Sequence, residues 1–277
     1  LLFIFGLLCV LVSCDNTSDN KQFTLLTRDK TGVDFINELK ETNTMNYFTY
    51  PYIYMGGGVS VGDIDNDNLD DIFFTGNMAE NRLYLNKGNL EFDDITSSAG
   101  VGGDDKWYTG STMVDINNDG YLDIYIANSQ GSADSRNSLY HNNGDGSFSQ
   151  INAGWIVQDA DDSNCATWCD YDNDGDLDMY VANCGANSLY RNEGDGSFIK
   201  ILTGVLVEND ECSQGASWAD YDNDGDFDVF VTNSLDLSSQ FYQNQGSGEF
   251  IEIVVGDIVT DNAQSWGSAW GDLDNDG

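Results

Sequence analysis

The stretch DYDNDGDLD at residues 170–178 holds five aspartates and no cation within nine residues. Nearly the same stretch, DYDNDGDFD, returns at residues 220–228. Carboxylates packed this closely repel one another unless a cation lies between them. The stretch therefore predicts a loop that closes around a bound positive charge.

The acidic motif is an internal repeat of the chain. Its copies begin at residues 63, 115, 170, 220 and 272, which are 52, 55, 50 and 52 residues apart. Repeats of this length are typical of stacked or radial arrays, in which neighbouring units bury the core together. The last copy, DLDNDG, is cut short by the end of the sequence, so we expect the natural protein to continue beyond it.

Each repeat also carries the same apolar runs around its motif. A small apolar run precedes the motif, and a β-branched and aromatic run such as MYVAN follows it. Two further short runs are separated by Gly-Asp-Gly or Gly-Ser-Gly tips, which favour hairpin turns because glycine accepts positive φ. No segment shows a long helical periodicity. Four antiparallel strands per repeat predict an all-β fold, a β-propeller with four blades and the start of a fifth.

The acidic loops are predicted calcium sites. Positions 1, 3, 5 and 9 carry Asp or Asn, and position 6 is Gly in four copies and Asn68 in the first. Hard oxygen ligands without Cys or His select Ca²⁺, and a backbone carbonyl at position 7 would add a ligand. The predicted ligands, one ion per loop, are Asp63, Asp65, Asp67, Leu69 and Asp71; Asp115, Asn117, Asp119, Tyr121 and Asp123; Asp170, Asp172, Asp174, Asp176 and Asp178; Asp220, Asp222, Asp224, Asp226 and Asp228; and Asp272, Asp274 and Asp276.

These loops differ from an EF-hand, because they lack its flanking helices and its Glu at position 12. The closing ligand is instead the Asp at position 9. Solvated acidic turns are the alternative interpretation, which in-phase copies with the same ligand spacing disfavour. Asn117 replaces one carboxylate in the second loop, so we expect that site to be the weaker one.

The bulk composition excludes some partners. The chain carries 48 acidic and 10 basic residues, for a net charge of −38. Because phosphate binding needs a basic face, this charge argues against nucleic acid and anionic membrane surfaces as partners. A hydrophobic content of 40% is enough for a core and argues against disorder.

The first residues indicate export. LLFIFGLLCVLVSC is too short an apolar run to span a bilayer and fits the core of a signal peptide, at residues 1–13. LVSC resembles a bacterial lipobox, which predicts lipidation of Cys14 and a location in the bacterial cell envelope. Polar residues 14–22 would be a linker, and residues 23–277 the propeller. A buried strand or helix is the alternative for the apolar run.

Residues 23–33, FTLLTRDKTGV, resemble residues 92–101, FDDITSSAGV, which should form the outer strand of blade one. We therefore predict that residues 23–28 form the outer strand of the last blade, whose other strands lie beyond this sequence. Such a pairing would close the ring.

Cysteines Cys165, Cys169, Cys184 and Cys212 allow three full pairings. If the strands on either side of the nine-residue loop pair directly, Cys165 faces Cys184. A disulfide between these two would then be sterically allowed.

Other chemistry-bearing residues are few. The one histidine, His141, matches Leu85, Arg191 and Gln243 in the other blades, which favours a surface hairpin side chain over a catalytic one. No nucleophile elbow, phosphate-binding loop or dinucleotide fingerprint is present, so no catalytic residue is nominated. Six tryptophans fall in two groups: in-phase core or channel positions (Trp168, Trp218, Trp270) and inter-blade segments that could stack on a sugar or a partner (Trp107, Trp155, Trp266).

The blocks GxxxxDxDNDGDxD, with LYxNxGDGxF between them, resemble FG-GAP/VCBS-type repeats, which form the calcium-loaded propellers of integrin α-subunits and of many bacterial exported proteins. Residues 54–96 are especially similar to bacterial relatives of cartilage acidic protein. The resemblance implies a seven-bladed propeller when complete, calcium at positions 1, 3, 5 and 9, and a C-terminal ASPIC/UnbV-like domain outside this chain. Asn68 and Asn117 depart from the family pattern.

We therefore expect a binding or adhesion module at the cell envelope, with a protein or glycan ligand and membrane contact only through the lipid anchor. A calcium-dependent polysaccharide lyase or hydrolase built on a propeller is the alternative. A scaffold for a further domain is a third interpretation. Periplasmic and surface-exposed locations both fit the sequence.

Overall fold

The computed structural model describes residues 23–103, 106–128, 135–234, 237–260 and 263–272. Cys14, Asp274 and Asp276, and with them the leader and linker, lie outside the described residues. None of the helices within the described ranges is long and apolar enough to cross a membrane.

The strands form four separate sheets, each of four strands that are antiparallel and adjacent in chain order. The sheets are: blade one, β1 Val59–Gly62, β2 Asp71–Phe74, β3 Arg82–Asn86 and β4 Phe92–Asp94; blade two, β5 Tyr108–Val114, β6 Asp123–Asn128, β7 Ser138–Asn142 and β8 Phe148–Ile151; blade three, β9 Asp162–Cys169, β10 Asp178–Cys184, β11 Ser188–Asn192 and β12 Phe198–Ile201; blade four, β13 Ser213–Ala219, β14 Asp228–Asn233, β15 Gln240–Asn244 and β16 Phe250–Ile253.

The helices are single turns between these strands. They are α1 Arg28–Thr31, α2 Thr96–Ala99 and α3 Trp155–Gln158, with 3₁₀ turns at Pro51–Tyr54 and Asp257–Val259. The absence of longer helices from the described ranges agrees with the lack of helical periodicity in the sequence.

The first strands of consecutive blades lie next to one another, β1 beside β5, β5 beside β9 and β9 beside β13. Blades one and two approach so closely that a Cβ on Gly58 would lie 2.6 Å from the backbone nitrogen of Ser111. Only glycine fits there. The four-stranded sheets thus converge on their inner strands, and the predicted all-β propeller architecture is confirmed.

The hydrophobic core is divided among the blade interfaces. One cluster joins blades one and two, a second joins blades two and three, and a third joins blades three and four. All six residues of β6 are buried, because blade two has another blade on each face. In β2 burial alternates, since blade one has a full sheet on one face only. A blade cannot bury its own apolar residues alone, which is why the repeat must be an array.

The predicted resemblance of residues 23–33 to residues 92–101 is partly visible. In both segments a helical turn ends at a left-handed glycine, Gly32 after α1 and Gly100 after α2, each with φ of 77°. The prediction of a strand through residue 28 is wrong, because Arg28 begins α1. Residues 23–27 pair with none of the described sheets, and their pairing with a last blade stays a prediction.

The interpretation of the cysteines was wrong in its register. Cys165 faces Ala182 rather than Cys184, and Asp178 is already a strand residue, paired with Cys169. A bulge then shifts the register between Ala182 and Asn183, so that Cys184 pairs with Asp162. The disulfide joins Cys184 to Cys212, so it ties the end of β10 to the segment that leads into blade four. Cys165 and Cys169 are free thiols.

Candidate metal centres

The acidic loops join the first and second strands of each blade, and their backbones curl around the carboxylate at position 1. In loop three, Asp170 accepts hydrogen bonds from the backbone amides of Asp174 and Gly175, both at 3.0 Å. Asp174 in turn accepts one from the amide of Asp176 at 3.0 Å. The same three bonds occur in loops one, two and four. The loop therefore has one shape in every described copy.

Two positions of each loop have left-handed backbone, which the sequence supplies with Asn and Gly. In loop three Asn173 has φ of 59° and Gly175 has φ of 96°. In loop one Asn68 stands in place of the usual glycine, with φ of 67°. Asn is the non-glycine residue that tolerates this region best, so this departure from the motif preserves the bend.

The aspartate at position 9 is the most buried part of the loop. Asp178 is 2% exposed. Its Oδ2 accepts the amide of Tyr171 at 3.1 Å, and its Oδ1 accepts the amide of Asn192 at 2.8 Å. The equivalent carboxylates accept the same two amides: Asp71 from Ile64 and Asn86, Asp123 from Ile116 and Asn142, and Asp228 from Tyr221 and Asn244. This carboxylate joins the loop to the third strand of its blade.

In three loops the structure brings positions 1, 3 and 9 together, with one oxygen of each carboxylate within 4.8 Å of the others. The groups are Asp63, Asp65 and Asp71; Asp170, Asp172 and Asp178; and Asp220, Asp222 and Asp228. The predicted ligands at position 5 lie outside these groups, and their carboxylates bond to their own loops. Among the described residues, loop two forms no such group.

The electrostatics of loop three fit a divalent cation. Asp172 Oδ1 is buried and accepts no hydrogen bond. Burial, and then the neighbouring Asp174 and Asp170, raise the pKa of Asp172. Burial raises the pKa of Asp178 to about 7, against the two amides that lower it. In loop one, burial raises the pKa of Asp71 to about 6. Ionised carboxylates in such a place are costly without a positive charge among them.

Loop two is held differently. The side-chain amide of Asn117 donates to Asp119 Oδ2 at 3.1 Å, within the space that a carboxylate pair would enclose. His141 Nδ1 lies 2.9 Å from Asp123 Oδ1, and its Nε2 lies 4.0 Å from Asp119 Oδ2. His141 is thus a neighbour of the loop carboxylates rather than a free surface side chain. An amide therefore stands where the other loops have a carboxylate at position 3, and an imidazole lies beside the carboxylates of positions 5 and 9.

Hydrogen bonds also join each loop to the next one. The Asn at position 4 reaches across: Asn118 donates to Asp176 Oδ1 at 2.6 Å, and Asn173 donates to Asp226 Oδ1 at 2.6 Å. From loop one, Asn66 donates to the Gly120 carbonyl at 2.9 Å. Sequence reasoning missed this role. The signal was present, since position 4 is Asn in every copy.

A second asparagine, at the end of the third strand, links neighbouring blades. Asn192 Nδ2 donates to the Ile116 carbonyl of loop two at 2.8 Å and to the Leu177 carbonyl of its own loop at 3.1 Å. Its Oδ1 accepts the amide of Gly194 at 3.0 Å. Asn142 and Asn244 make the equivalent bonds. The Asn of the LYxN run, whose role the sequence alone did not reveal, therefore connects two acidic loops.

Two in-phase tryptophans confirm their predicted core position. Trp168 packs edge-to-face on Tyr125 of the preceding blade, with centroids 5.8 Å apart. Trp218 meets Tyr180 in the same way at 6.1 Å. Aromatic pairs of this geometry add about 1 kcal/mol each beyond their buried area. The blade interfaces therefore repeat as faithfully as the loops.

The other tryptophans differ in exposure. Trp270 is 41% exposed and packs near Phe230, whereas Trp107 is buried, at 3%. Trp155 in α3 and Trp266 are each at least half exposed. The segments between blades thus hold one buried tryptophan and two exposed ones, and Trp270, predicted at a core or channel position, is not buried.

A set of four-stranded antiparallel sheets, each with an Asp-rich loop between its first two strands, defines a β-propeller built from repeats. The chain matches the FG-GAP-like repeat at residues 63–126, 115–181, 170–231 and 220–277. The chain belongs to the FG-GAP-like repeat family.

The chain is also similar to cartilage acidic protein 1. It is 40% identical to the Xenopus tropicalis protein over 79 residues and 40% identical to the Mus musculus protein over 76 residues. The Homo sapiens protein is 39% identical over 79 residues. These matches cover 28%, 27% and 28% of this chain, respectively, and 12% of each relative.

Two solved structures are similar at lower identity. One is an Agrocybe aegerita lectin, described as recognising non-reducing terminal N-acetylglucosamine, with a TM-score of 0.47 and 22% identity over 74% of this chain and 54% of that one. The other is the Photorhabdus luminescens Tc holotoxin pore, with a TM-score of 0.41 and 17% identity over 67% of this chain and 8% of that one.

Proposed function

We propose that this chain is an exported calcium-binding β-propeller that acts as an interaction module at the cell envelope, anchored by a lipid on Cys14. The observation that carries the calcium assignment is the buried, unpartnered Asp172 Oδ1 among the carboxylates of loop three. A cation there would neutralise charges that the fold has already taken out of water.

Calcium suits these loops better than other metals. The groups at positions 1, 3 and 9 offer carboxylate oxygens and no sulfur or imidazole, which disfavours zinc and copper. Magnesium demands a tight octahedral shell and keeps several waters, whereas calcium accepts many protein oxygens in flexible geometry. The carboxylate at position 5 and the carbonyl at position 7 would complete the ligand set, as the sequence predicts.

A role in interaction follows from what the chain offers and from its charge. The repeats use their acids for the loops and their apolar residues for the blade interfaces, and the strongly negative surface disfavours nucleic acid. The predicted leader and lipidation site support an envelope location. The partner is a protein or a glycan that binds a face of the propeller or its central channel through the segments between blades.

The experiment is a melting series in EDTA, in millimolar magnesium and in millimolar calcium. Calcium at a hundred times its Kd should stabilise the fold by about 2.7 kcal/mol per loop, and magnesium by less. Equal melting curves in EDTA and calcium would contradict the metal assignment.

Affinity capture from envelope extracts, with and without calcium, tests the interaction role. Capture that chelation abolishes supports the module. Turnover of a polysaccharide would favour the alternative enzyme. A Cys14→Ser variant of the natural protein that stays in the membrane fraction would contradict the lipid anchor.

A further inference from the structure

A cavity of about 320 Å³ lies where the inner strands of the blades begin, at the end away from the metal loops. It is lined on one side by residues 49–56, which precede blade one. On the other sides its walls come from the starts of β5, β9 and β13 and from the segment after blade four. We call it the axial cavity.

The residues that line the axial cavity share one register. Counted back from the first Asp of each loop, Thr109, Asn164, Gln214 and Trp266 stand at position −6. Trp107, Asp162 and Met55 stand at position −8. Position −6 is the extra residue of a β-bulge in β5, β9 and β13, since Thr109, Asn164 and Gln214 have no partner on the second strand, and all three line the cavity.

These positions do not follow the repeat. Position 9 is Asp in all four complete loops, and the third strand ends in Asn in all four blades. Position −6, in contrast, is Thr, Asn, Gln and Trp in successive blades. Scaffold positions in equivalent surroundings are filled by equivalent residues, as the loops show. An unrepeated set that faces one cavity indicates an asymmetric ligand.

The amide side chains in the axial cavity are held in place. Asn164 Nδ2 donates to the Ser213 carbonyl at 2.8 Å, and Gln214 Nε2 donates to Ser234 Oγ at 3.1 Å. Within the described residues no hydrogen bond reaches the side-chain oxygens of Asn164 or Gln214. Fixed acceptors of this kind orient a ligand that carries hydroxyl donors.

Aromatic rings form the apolar part of the lining of the axial cavity. Trp107 is buried edge-to-face against Tyr50, with centroids 5.2 Å apart. Trp266 is 50% exposed, and its neighbour Ser265 donates a backbone hydrogen bond to the Asn233 carbonyl at 2.9 Å, which holds this segment against blade four. An aromatic face next to fixed polar groups suits a ligand with both apolar C–H faces and hydroxyls.

We propose that the axial cavity binds one or two rings of a neutral saccharide. This proposal rests on the proposed function, since it names the ligand class of the interaction module. Among the described residues no cation lines the cavity and Asp162 is the one acid that does, so anionic sugars would be repelled. The fixed amide oxygens disfavour a purely apolar ligand, which would leave them desolvated. The volume lies at the lower end of the range of about 300–1,000 Å³ for small-ligand pockets.

Calcium would not touch this ligand. Position −6 lies six residue steps before the first Asp of each loop, a distance of about 20 Å at about 3.3 Å per step. Calcium would therefore affect saccharide binding only through the stability of the blades. This separates the two proposals experimentally.

The experiment uses the full chain in calcium and follows intrinsic tryptophan fluorescence. The probes are glucose, galactose, mannose, N-acetylglucosamine, lactose and cellobiose, with sialyllactose as the acidic probe and tetralysine as the cationic one. We expect saturable quenching by at least one neutral sugar and none by sialyllactose. Unchanged fluorescence with every neutral sugar overturns the proposal. Stronger quenching by tetralysine or sialyllactose than by any neutral sugar overturns it as well.

Variants locate the binding. Trp266→Ala and Gln214→Ala should each weaken the binding of the best sugar about tenfold, or about 1.4 kcal/mol. Trp155→Ala is the matched control, because Trp155 is equally exposed but does not line the cavity. Unchanged affinity in both cavity variants overturns the proposal. The melting series in calcium is run beside it: if calcium stabilises the chain and no neutral sugar binds, the saccharide proposal fails while the calcium module stands.

Discussion

Loops two and three have the same backbone and different charges. In loop two Asp115 accepts the amides of Asp119 and Gly120 at 3.2 and 2.9 Å, as Asp170 accepts its two amides in loop three. Position 3, however, is Asn in loop two and Asp in loop three. The shape of the loop therefore does not depend on a carboxylate at position 3.

The comparison separates two tasks that one motif performs. Positions 1 and 9 accept backbone amides in every described loop, so they shape it and join it to its blade. Position 3 accepts a longer amide bond in loop two, where Asn117 Oδ1 lies 3.3 Å from the amide nitrogen of Asp119, whereas in loop three it adds an unpartnered oxygen, Asp172 Oδ1. We infer that the first task supports the fold and the second attracts the ion.

The largest loss of folding stability should come from substitution of the aspartate at position 9. Asp178→Ala removes the acceptors of two buried backbone amides, and an unsatisfied amide costs about 1–3 kcal/mol, so the loss should reach about 3 kcal/mol or more. Because the role is structural, Asp123→Ala in loop two should cost a similar amount. Both losses should appear in EDTA as well as in calcium, measured by urea unfolding.

Asp178→Asn is the milder companion, since it keeps one acceptor oxygen. A loss for Asp178→Ala that vanished in EDTA would show that position 9 acts only through the metal. That result would undo the division of tasks between positions 3 and 9.

Substitutions at position 3 should change calcium affinity and leave the stability of the metal-free chain unchanged or higher. Asp172→Asn gives loop three the residue of loop two and should weaken its calcium affinity about tenfold, or about 1.4 kcal/mol. Asn117→Asp should strengthen loop two by a similar factor. Calorimetric titration with calcium would measure both, and the melting curve of Asp172→Asn in EDTA should equal or exceed that of the parent.

The reciprocal pair is its own control. If Asp172→Asn lowered stability equally in EDTA and in calcium, the aspartate would be a scaffold residue. If Asn117→Asp left calcium binding unchanged, His141 rather than Asn117 would limit loop two.

The repeated features were predictable because each is encoded within one repeat. The shape of each loop is determined by its own nine residues, and the strands on either side form from their own apolar runs. The regular spacing of these features along the chain was therefore enough to predict the four blades. Residues 23–33 and 92–101 share a helical turn that ends at a glycine, which is local too, although the sequence had predicted a strand through residue 28 and not this turn.

Features that depend on register or on a second repeat were not predictable. The pairing of Cys165 was misplaced because Asp178 belongs to the strand and a bulge follows Ala182. The bonds of Asn173 and Asn192 join different blades, so no single repeat reveals them. The residues that line the axial cavity were not predicted, because positions −6 and −8 of different repeats become neighbours only when the inner strands converge.

A smaller effect should come from the bond between loops three and four. Asn173→Gly removes the side chain that donates to Asp226 Oδ1 while glycine keeps the left-handed φ of 59°. We expect a loss of about 1 kcal/mol or less in calcium binding at loop four, measured by titration of a chain in which Asp172→Asn weakens loop three.

Asn118→Gly, which frees loop three from loop two, is the matched variant for this test. It should leave loop four unchanged. Equal weakening of loop four by both substitutions would mean that the bonds support the whole face rather than one neighbour.

The smallest effect should come from the residue just before each loop, which is Val114 in blade two and Cys169 in blade three. Both are buried, at 4% and 6% exposure. Cys169→Val therefore gives blade three the side chain of blade two, and this nearly volume-conserving change should cost about 0.5 kcal/mol or less. Burial, and then Asp170 and Asp178, raise the pKa of the Cys169 thiol to about 12, so iodoacetamide should modify it far more slowly in the folded chain than in urea. Rapid modification of Cys169 in the native chain, detected by mass spectrometry of the digest, would show that blade three opens beside its loop.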